Sequence, residues 1–283
     1  MSKQTSKWRK YLLGTWSWKR PIYSLLSIYL IFFIIVLFFA DALIFQPPAG
    51  TYSDTQQNLV LLVNDKQQEV ASVYLEAEPN RPTILWSHGN AETIGTAFPL
   101  LQYLNRNEGI GFIAYDYPGY GLSEGKPNEQ GCYANIEATW KFLTEDKKIA
   151  PENIIILGQS VGSGPSTYLA EKVIDAGTPP SALILISPFT SINRVPFGVN
   201  LFPNDRFSNI SRIKNITCPL LIIHGDKDKV ISQSHGKELF EKSPLDATKK
   251  QFLDLKDTGH NDLLGKELFL ESLLDFIRKT EQR

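Results

Sequence analysis

The chain has 283 residues, of which 42% are hydrophobic and 21% are charged, a balance that excludes a disordered or fibrous protein. The formal net charge of -1 is unevenly distributed, because residues 1–20 hold six basic side chains and no acidic one. The rest of the chain then holds 23 basic residues (29 minus 6) against 30 acidic ones. This mildly acidic body argues against a surface that binds nucleic acid.

An uncharged apolar stretch follows the basic N-terminus. Residues 22–40 are long enough, at 1.5 Å per residue, to cross a hydrocarbon core of about 30 Å, and they lack the polar face of a core helix. Because the basic residues precede this stretch, we predict a cytoplasmic N-terminus over residues 1–21, a transmembrane anchor over 22–40 and a body on the non-cytoplasmic side. Aromatic residues that favour the membrane interface lie near the basic end: Trp8, Tyr11, Trp16, Trp18 and Tyr23.

A cleaved signal peptide is the alternative. The small residues Ala40 and Ala42 fit a cleavage site, which would create a mature N-terminus near Leu43. We favour an uncleaved signal-anchor, because the apolar run exceeds the usual 7–15 residues of a signal peptide. The sequons that begin at Asn209 and Asn215 matter only in a secretory lumen.

After a proline-containing linker over residues 41–57, the chain alternates between strand and helix patterns as one domain over 58–283. Such alternation predicts an α/β fold with a mostly parallel sheet and helices on both faces. Ligands of such sheets bind beyond the carboxyl ends of the strands. The predicted strands are 58–64, 70–76, 83–87, 111–115, 154–157, 182–186, 219–223 and 251–255. The predicted helices are 95–107, 131–146, 161–176, 234–242 and 263–278.

A candidate nucleophile stands at the end of the most apolar strand. Ile154–Leu157 is followed by Gly158-Gln-Ser160-Val-Gly162, the strand, sharp turn and helix that expose a serine hydroxyl above a sheet. The glycines leave room for this turn. The alternative is a glycine-rich turn with a capping serine, but the clear strand before it favours the nucleophile.

A serine nucleophile needs a base and an acid that orients the base. In the expected order, Asp228 and His260 follow Ser160, each after a predicted strand. We take Asp228 as the acid, because the acid loop must reach beyond its strand. Asp226 and Asp262 remain as alternatives.

Two backbone N–H groups are predicted to bind the developing oxyanion. One belongs to Val161, next to the nucleophile, and the other to Asn90 in the turn after the strand 83–87. We interpret His88 as a support for this turn, and His224 and His235 as packing residues.

Neither a metal nor a cofactor is predicted. No two of the four histidines have metal-ligand spacing, and neither Cys132 nor Cys218 lies in a C-x-x-C pair. We interpret both cysteines as small buried hydrophobic residues, and a disulfide between them is the alternative.

These motifs together resemble the α/β-hydrolase superfamily, and in particular its membrane-associated abhydrolase-domain serine hydrolases, a branch that includes protein depalmitoylases. The resemblance implies a serine hydrolase with its acid at Asp228. Where the depalmitoylases of that branch have an N-terminal cysteine cluster for lipid attachment, this chain has the apolar stretch. The residues that carry the resemblance are His88–Ala91, Tyr115–Ser123, Gly158–Gly162, Pro219–Ile231, Ser234–Gly236 and Gly259–Asp262.

The segment between Pro188 and Cys218 stands where such enzymes have a lid, and at about 30 residues it is too short for a helical cap domain. Its apolar side chains predict either a rim that suits an acyl chain or ordinary loop packing. They are Phe189, Val195, Phe197, Leu201, Phe202 and Phe207.

We therefore expect a membrane-anchored serine hydrolase that cleaves acyl esters or thioesters of small or lipid-like molecules through an acyl-enzyme, with no nucleic-acid partner. The alternatives are a serine peptidase on the same fold and a non-catalytic binding protein that retains the fold.

Overall fold

The computed structural model describes residues 18–196, 198–200 and 205–281. By its internal contacts the chain divides into two compact units, Met1–Ala40 and Asp41–Arg283. Several residues singled out above lie outside the described ranges: Trp8, Tyr11, Trp16, Phe197, Leu201 and Phe202.

Helix α1, Arg20–Ile44, contains the predicted apolar stretch. Its 25 residues include a window with a mean hydropathy of 2.7 in which no residue is buried. At 1.5 Å per residue the helix is about 38 Å long. By length and composition α1 is therefore a candidate membrane span.

The body is built on one eight-stranded sheet within the described residues. In chain order, strands β1 to β8 are Leu59–Val63, Glu69–Leu75, Thr83–Ser87, Gly111–Tyr115, Ile154–Gln159, Ala182–Ile186, Leu220–Gly225 and Lys250–Leu255. Strands β1 and β2 form an antiparallel hairpin, and β2 pairs antiparallel with β4, whereas the other pairings are parallel. The order across the sheet is β1-β2-β4-β3-β5-β6-β7-β8, which confirms the predicted α/β-hydrolase fold.

Five helices of the body occupy the predicted places with shifted ends, and the short helix Asn209–Arg212 was not predicted from the sequence. The π-helical turn Phe142–Asp146 extends the helix Glu129–Lys141, and the 3₁₀ turn Ser160–Gly162 precedes the helix Ser163–Asp175. The helices of the body are α2 Ile94–Glu108, α3 Glu129–Lys141, α4 Ser163–Asp175, the short α5 Asn209–Arg212, α6 Gln233–Lys242 and α7 Glu267–Glu281.

The core lies on both faces of the sheet. In β5 the side chains of Ile154 and Ile156 join the cluster beneath α3, α4 and α6, while Ile155 and Leu157 join the cluster beneath α2 and α7. Side chains alternate between the two faces of a strand, so a strand that is covered on both faces must be apolar throughout. This is why the central strands read as continuous apolar runs.

The lid segment places two of its aromatic residues in the core rather than on an open rim. Phe189 and Phe207 are 1% and 0% exposed. The Phe207 ring lies where a side chain at position 164 would be, so Gly164 makes the room for it. Phe207 itself has a left-handed backbone with a φ of 47°. For these two residues the structure favours loop packing, whereas Val195 is half-buried.

Replacing Phe207 by alanine tests this packing. We expect the free energy of unfolding of the full chain to fall by about 3–5 kcal/mol, the usual loss for a buried phenylalanine. The half-exposed Leu268 is the control, and Leu268→Ala is expected to change it by no more than about 0.5 kcal/mol. Urea unfolding in detergent measures both, and equal effects would contradict the core position of Phe207.

Candidate active site

The predicted nucleophile lies in a strained turn at the carboxyl end of β5. Ser160 has a left-handed φ of 53°, a conformation that costs free energy for any residue other than glycine. A side chain at Gly158 would overlap the Gly162 carbonyl oxygen, and one at Gly162 would overlap the Ser87 carbonyl oxygen. The turn therefore exists only with glycine at both positions, and it leaves the Ser160 residue 8% exposed.

A histidine from the far end of the chain contacts this serine. His260, in the loop after β8, places its Nε2 atom 2.9 Å from Ser160 Oγ and its Nδ1 atom 2.6 Å from Asp228 Oδ2. The Asp228 side chain is fully buried, and that of His260 is 12% exposed. With an ionised Asp228 accepting from Nδ1–H, Nε2 is left to accept the serine proton. The three side chains form one continuous hydrogen-bonded relay.

Of the three candidate acids, Asp228 is the one that contacts His260. Asp226 is exposed and accepts a hydrogen bond from the Thr258 N–H group at 3.4 Å. Asp262 is exposed and accepts from the Gly259 N–H group at 3.1 Å. Asp262 thus holds its own turn, as short acidic side chains commonly do, whereas Asp226 contacts the backbone of the neighbouring loop.

Asp228 is held by more than His260. Its Oδ1 atom accepts hydrogen bonds from the N–H groups of Val230 and Ile231 at 2.9 and 2.8 Å. Burial by itself raises the pKa of this carboxyl group, but hydrogen bonds from His224, His260 and Ile231 outweigh burial and hold the pKa well below its usual range. The acid is therefore ionised at neutral pH.

His224 is a site residue that the sequence interpretation had assigned to packing. It is fully buried, and its Nε2 atom lies 3.3 Å from Asp228 Oδ2 and 2.9 Å from the Ile231 carbonyl oxygen. The four-residue separation of His224 and Asp228 does not reveal this contact, because the contact depends on how the chain folds back after β7. His235 lies farther along, with Nδ1 2.8 Å from Thr190 Oγ1, and burial lowers its pKa.

The two predicted oxyanion donors follow neighbouring strands. Ser87 of β3 stands opposite Gly158 of β5, so the turn that carries Asn90 and the turn that carries Val161 end side by side. Glu92 links the two turns, because it accepts from the Gly89 N–H group at 2.9 Å and from Gln159 Nε2 at 3.3 Å.

His88 lies beneath the Asn90 turn and is fully buried. Its Nδ1 atom is 2.8 Å from the Gly89 carbonyl oxygen, and its Nε2 atom is 3.2 Å from Asp116. The Tyr117 hydroxyl donates to the His88 carbonyl oxygen at 2.5 Å. His88 thus contacts the turn from below, which is the supporting position expected for it.

Within the described ranges, no group of three or more His, Cys, Asp or Glu side chains is arranged to hold a metal ion. Cys132 and Cys218 are both free and buried, so they do not pair with each other. Burial raises the pKa of the Cys218 thiol to about 12.

The chain is similar to several known proteins over most of its length. A protein-family profile described as serine aminopeptidase, S33 matches residues 78–204. The human alpha/beta hydrolase domain-containing protein 17B is 41% identical over 217 residues, which are 75% of this chain and 72% of the relative. The Xenopus tropicalis protein of the same name is 40% identical over 213 residues, or 74% and 70% of the two chains.

Among solved structures, an esterase of Pyrococcus furiosus superposes with a TM-score of 0.65 at 16% identity, covering 83% of this chain and 99% of its own. An alpha-beta hydrolase of Vibrio vulnificus superposes with a TM-score of 0.63 at 23% identity, covering 77% and 80%. At these identities the two structures support the fold alone.

The sheet order and the relatives together define an α/β hydrolase, and the protein is a serine hydrolase. The identity and coverage shared with the human and frog proteins show further that the chain belongs to the family of the alpha/beta hydrolase domain-containing proteins 17.

The ionised state of Asp228 predicts a pH-dependent contribution to stability. Because its folded pKa is lower than the unfolded value of about 3.9, the carboxylate stabilises the fold above that pH, and the contribution is lost as the pH falls through the folded pKa. We expect wild type to be more stable than Asp228→Asn at pH 7, and the difference to shrink from about pH 5 to about pH 3.

Urea unfolding across this pH range measures the difference. The control is Asp65→Asn at an exposed position, for which the difference is expected to stay within about 0.5 kcal/mol throughout. A difference between wild type and Asp228→Asn that does not depend on pH would contradict the contribution assigned to the carboxylate.

Proposed function

We propose that the protein is a membrane-anchored serine hydrolase that cleaves acyl esters or thioesters through an acyl-enzyme. The observation that carries the proposal is the continuous hydrogen-bonded relay from Ser160 through His260 to Asp228 at the carboxyl edge of the sheet. Ser160 is the nucleophile, His260 the general base and acid, and Asp228 the group that orients and stabilises the imidazolium.

In the first half-reaction, His260 Nε2 takes the Ser160 proton while Oγ bonds to the acyl carbonyl carbon. The negative charge moves to the carbonyl oxygen, where the N–H groups of Val161 and Asn90 stabilise it, and each such donor lowers the barrier by about 3–4 kcal/mol. His260 then gives its proton to the leaving alcohol or thiol as the carbonyl re-forms.

In the second half-reaction, water attacks the acyl-serine carbonyl carbon. His260 takes a proton from this water, the same two N–H groups stabilise the second oxyanion, and the proton returns to Ser160 Oγ as the carboxylic acid leaves. The ionised Asp228 stabilises the imidazolium in both halves. Each step uses only groups of this chain, the substrate and water.

The choice of substrate is supported by the resemblance of the sequence motifs to acyl hydrolases. A serine peptidase is the second candidate, because the matching family profile is described as a serine aminopeptidase and amide cleavage uses the same relay.

For the membrane, we propose a cytoplasmic basic segment over residues 1–21, an anchor over 22–40, a linker over 41–57 and a catalytic domain over 58–283 on the non-cytoplasmic side. The apolar helix α1 and the excess of basic residues before it support this orientation. Cleavage near Leu43 is the alternative, and the intact mass of the purified protein distinguishes the two.

Labelling with a fluorophosphonate tests catalysis. We expect the full-length protein in detergent to be labelled with one equivalent, and Ser160→Ala not to be labelled. Ester turnover by Ser160→Ala should fall by a factor on the order of 10⁶, the loss reported for nucleophile removal in a comparable relay. Ser211→Ala, at an exposed serine, should be labelled like wild type. Equal labelling of wild type and Ser160→Ala, or of neither, would contradict the role of Ser160 as the nucleophile.

A panel of substrates separates the two candidates. We expect p-nitrophenyl esters and acyl thioesters to be hydrolysed with a higher kcat/KM than aminoacyl and peptide amides of similar size, because the resemblance is to acyl-ester hydrolases. The comparison uses the same fluorophosphonate-titrated preparation for every substrate. A preference for peptide amides would contradict the esterase proposal.

Membrane orientation is measured with an introduced cysteine. Because Cys132 and Cys218 are buried, Glu145→Cys at an exposed position provides a selective target. We expect a membrane-impermeant maleimide to label this variant in intact cells, and wild type to remain unlabelled. Labelling of the variant only after permeabilisation would reverse the proposed orientation.

A further inference from the structure

Residues Asp41–Gln46, which we call the strap, contact the side chain of Asn90, the proposed oxyanion residue. The Ile44 carbonyl oxygen accepts a hydrogen bond from Asn90 Nδ2 at 2.7 Å, and the Gln46 N–H group donates to Asn90 Oδ1 at 3.0 Å. The Tyr120 hydroxyl donates to the same Oδ1 at 2.6 Å and accepts from the Gln46 N–H group at 2.8 Å. The Asn90 amide is therefore held at both ends.

A buried aromatic side chain fixes the strap in place. Phe45 is 4% exposed, and its ring meets Tyr120 and Phe207 edge to face, with ring centroids 6.5 and 6.2 Å apart. Asp41 forms an ion pair with Arg206. The strap thus touches both the Asn90 turn and the lid segment.

The Asn90 turn needs support of this kind. The next residue, Ala91, has a left-handed φ of 57°, which is unfavourable for alanine and persists only where the surroundings hold it. The N–H group that would bind the oxyanion belongs to Asn90 itself. An oxyanion donor works only when it is already aimed before the charge develops, and a displacement of about 1 Å can cost a factor of about 10² in rate.

We propose that the strap is a positioning element of the active site, which holds the Asn90 side chain so that the backbone N–H group of Asn90 points at the developing oxyanion. This positioning role rests on the proposed function, and it gives the residues at the end of α1 a part in catalysis. Phe45, Tyr120 and the Asn90 side chain are positioning residues, because they act through the Asn90 backbone.

The test uses the full-length protein in detergent, with the concentration of active sites set by fluorophosphonate titration. Asn90→Ala keeps the backbone N–H group and removes only the amide that the strap holds. Tyr120→Phe removes one hydroxyl from the same cluster, and Phe45→Ala removes the buried anchor. We expect kcat per titrated site to fall by about 10- to 100-fold in each variant, while KM changes by less than about threefold, since an oxyanion contact acts on the transition state.

A boronic acid that forms a tetrahedral adduct with the serine provides a readout that a purely structural role would not change. Its inhibition constant is expected to rise in each variant in proportion to the loss of kcat/KM. Phe45→Leu, which keeps most of the buried apolar volume, should recover most of the lost kcat. Tyr168→Phe is the matched control, because it removes a tyrosine hydroxyl that bonds Glu137 instead, and it should stay within twofold of wild type.

Three results would overturn the positioning role: kcat per site within twofold of wild type in Asn90→Ala and Tyr120→Phe, a loss confined to the fraction of titratable sites, or a rise in KM alone. A wild-type protein that does not react with the fluorophosphonate at all would instead refute the proposed function. The two failures are therefore distinguishable.

Discussion

The rest of the site depends on the backbone constraint at Ser160. The left-handed turn lifts the serine above the carboxyl end of β5, and it closes so tightly that neither Gly158 nor Gly162 has room for a side chain. The strand behind it is apolar and buried from Ile154 to Leu157 and is covered on both faces, so the strained turn is held by a rigid element. A strained residue at the end of a buried strand is a position that the core stabilises and solvent can still reach.

Around this turn, the buried carboxyl groups of Asp228 and Asp116 each have several polar partners. Asp228 is buried, yet two histidines and two backbone N–H groups surround it. Asp116 has a similar place beneath the Asn90 turn, where it contacts His88, accepts from the Ile94 N–H group at 2.9 Å and accepts from the Tyr52 hydroxyl. Breaking these contacts would leave a buried carboxyl group without partners, which costs free energy. The contacts therefore hold the loops that carry Asp228 and Asp116 in fixed positions.

The strap adds a connection between distant parts of the chain. It joins the end of α1 to the Asn90 turn through hydrogen bonds and to the lid segment through Phe45 and Asp41. Phe207, which the sequence interpretation left open between a rim and loop packing, is one of the residues that receives Phe45. Phe189 and Phe207 thus tie the described part of the lid segment into the core near the site.

Local sequence determined the strands, the five long helices of the body and a mostly parallel α/β sheet, because hydrophobic periodicity and turn residues report the environment of near neighbours. The resemblance of the motifs to known hydrolases then implied the α/β-hydrolase fold. Local sequence also determined the serine turn, whose glycines have no substitute, and the apolar stretch within α1. Only the tertiary structure decided which of three aspartates contacts His260, that His224 lies against Asp228, and that Ile44 and Gln46 hold Asn90. Which aspartate contacts His260 depends on the exact paths of two loops. The hydrogen bonds of Ile44 and Gln46 to Asn90 join residues more than 40 positions apart. Packing of the whole body brings such residues together, and no local pattern encodes it.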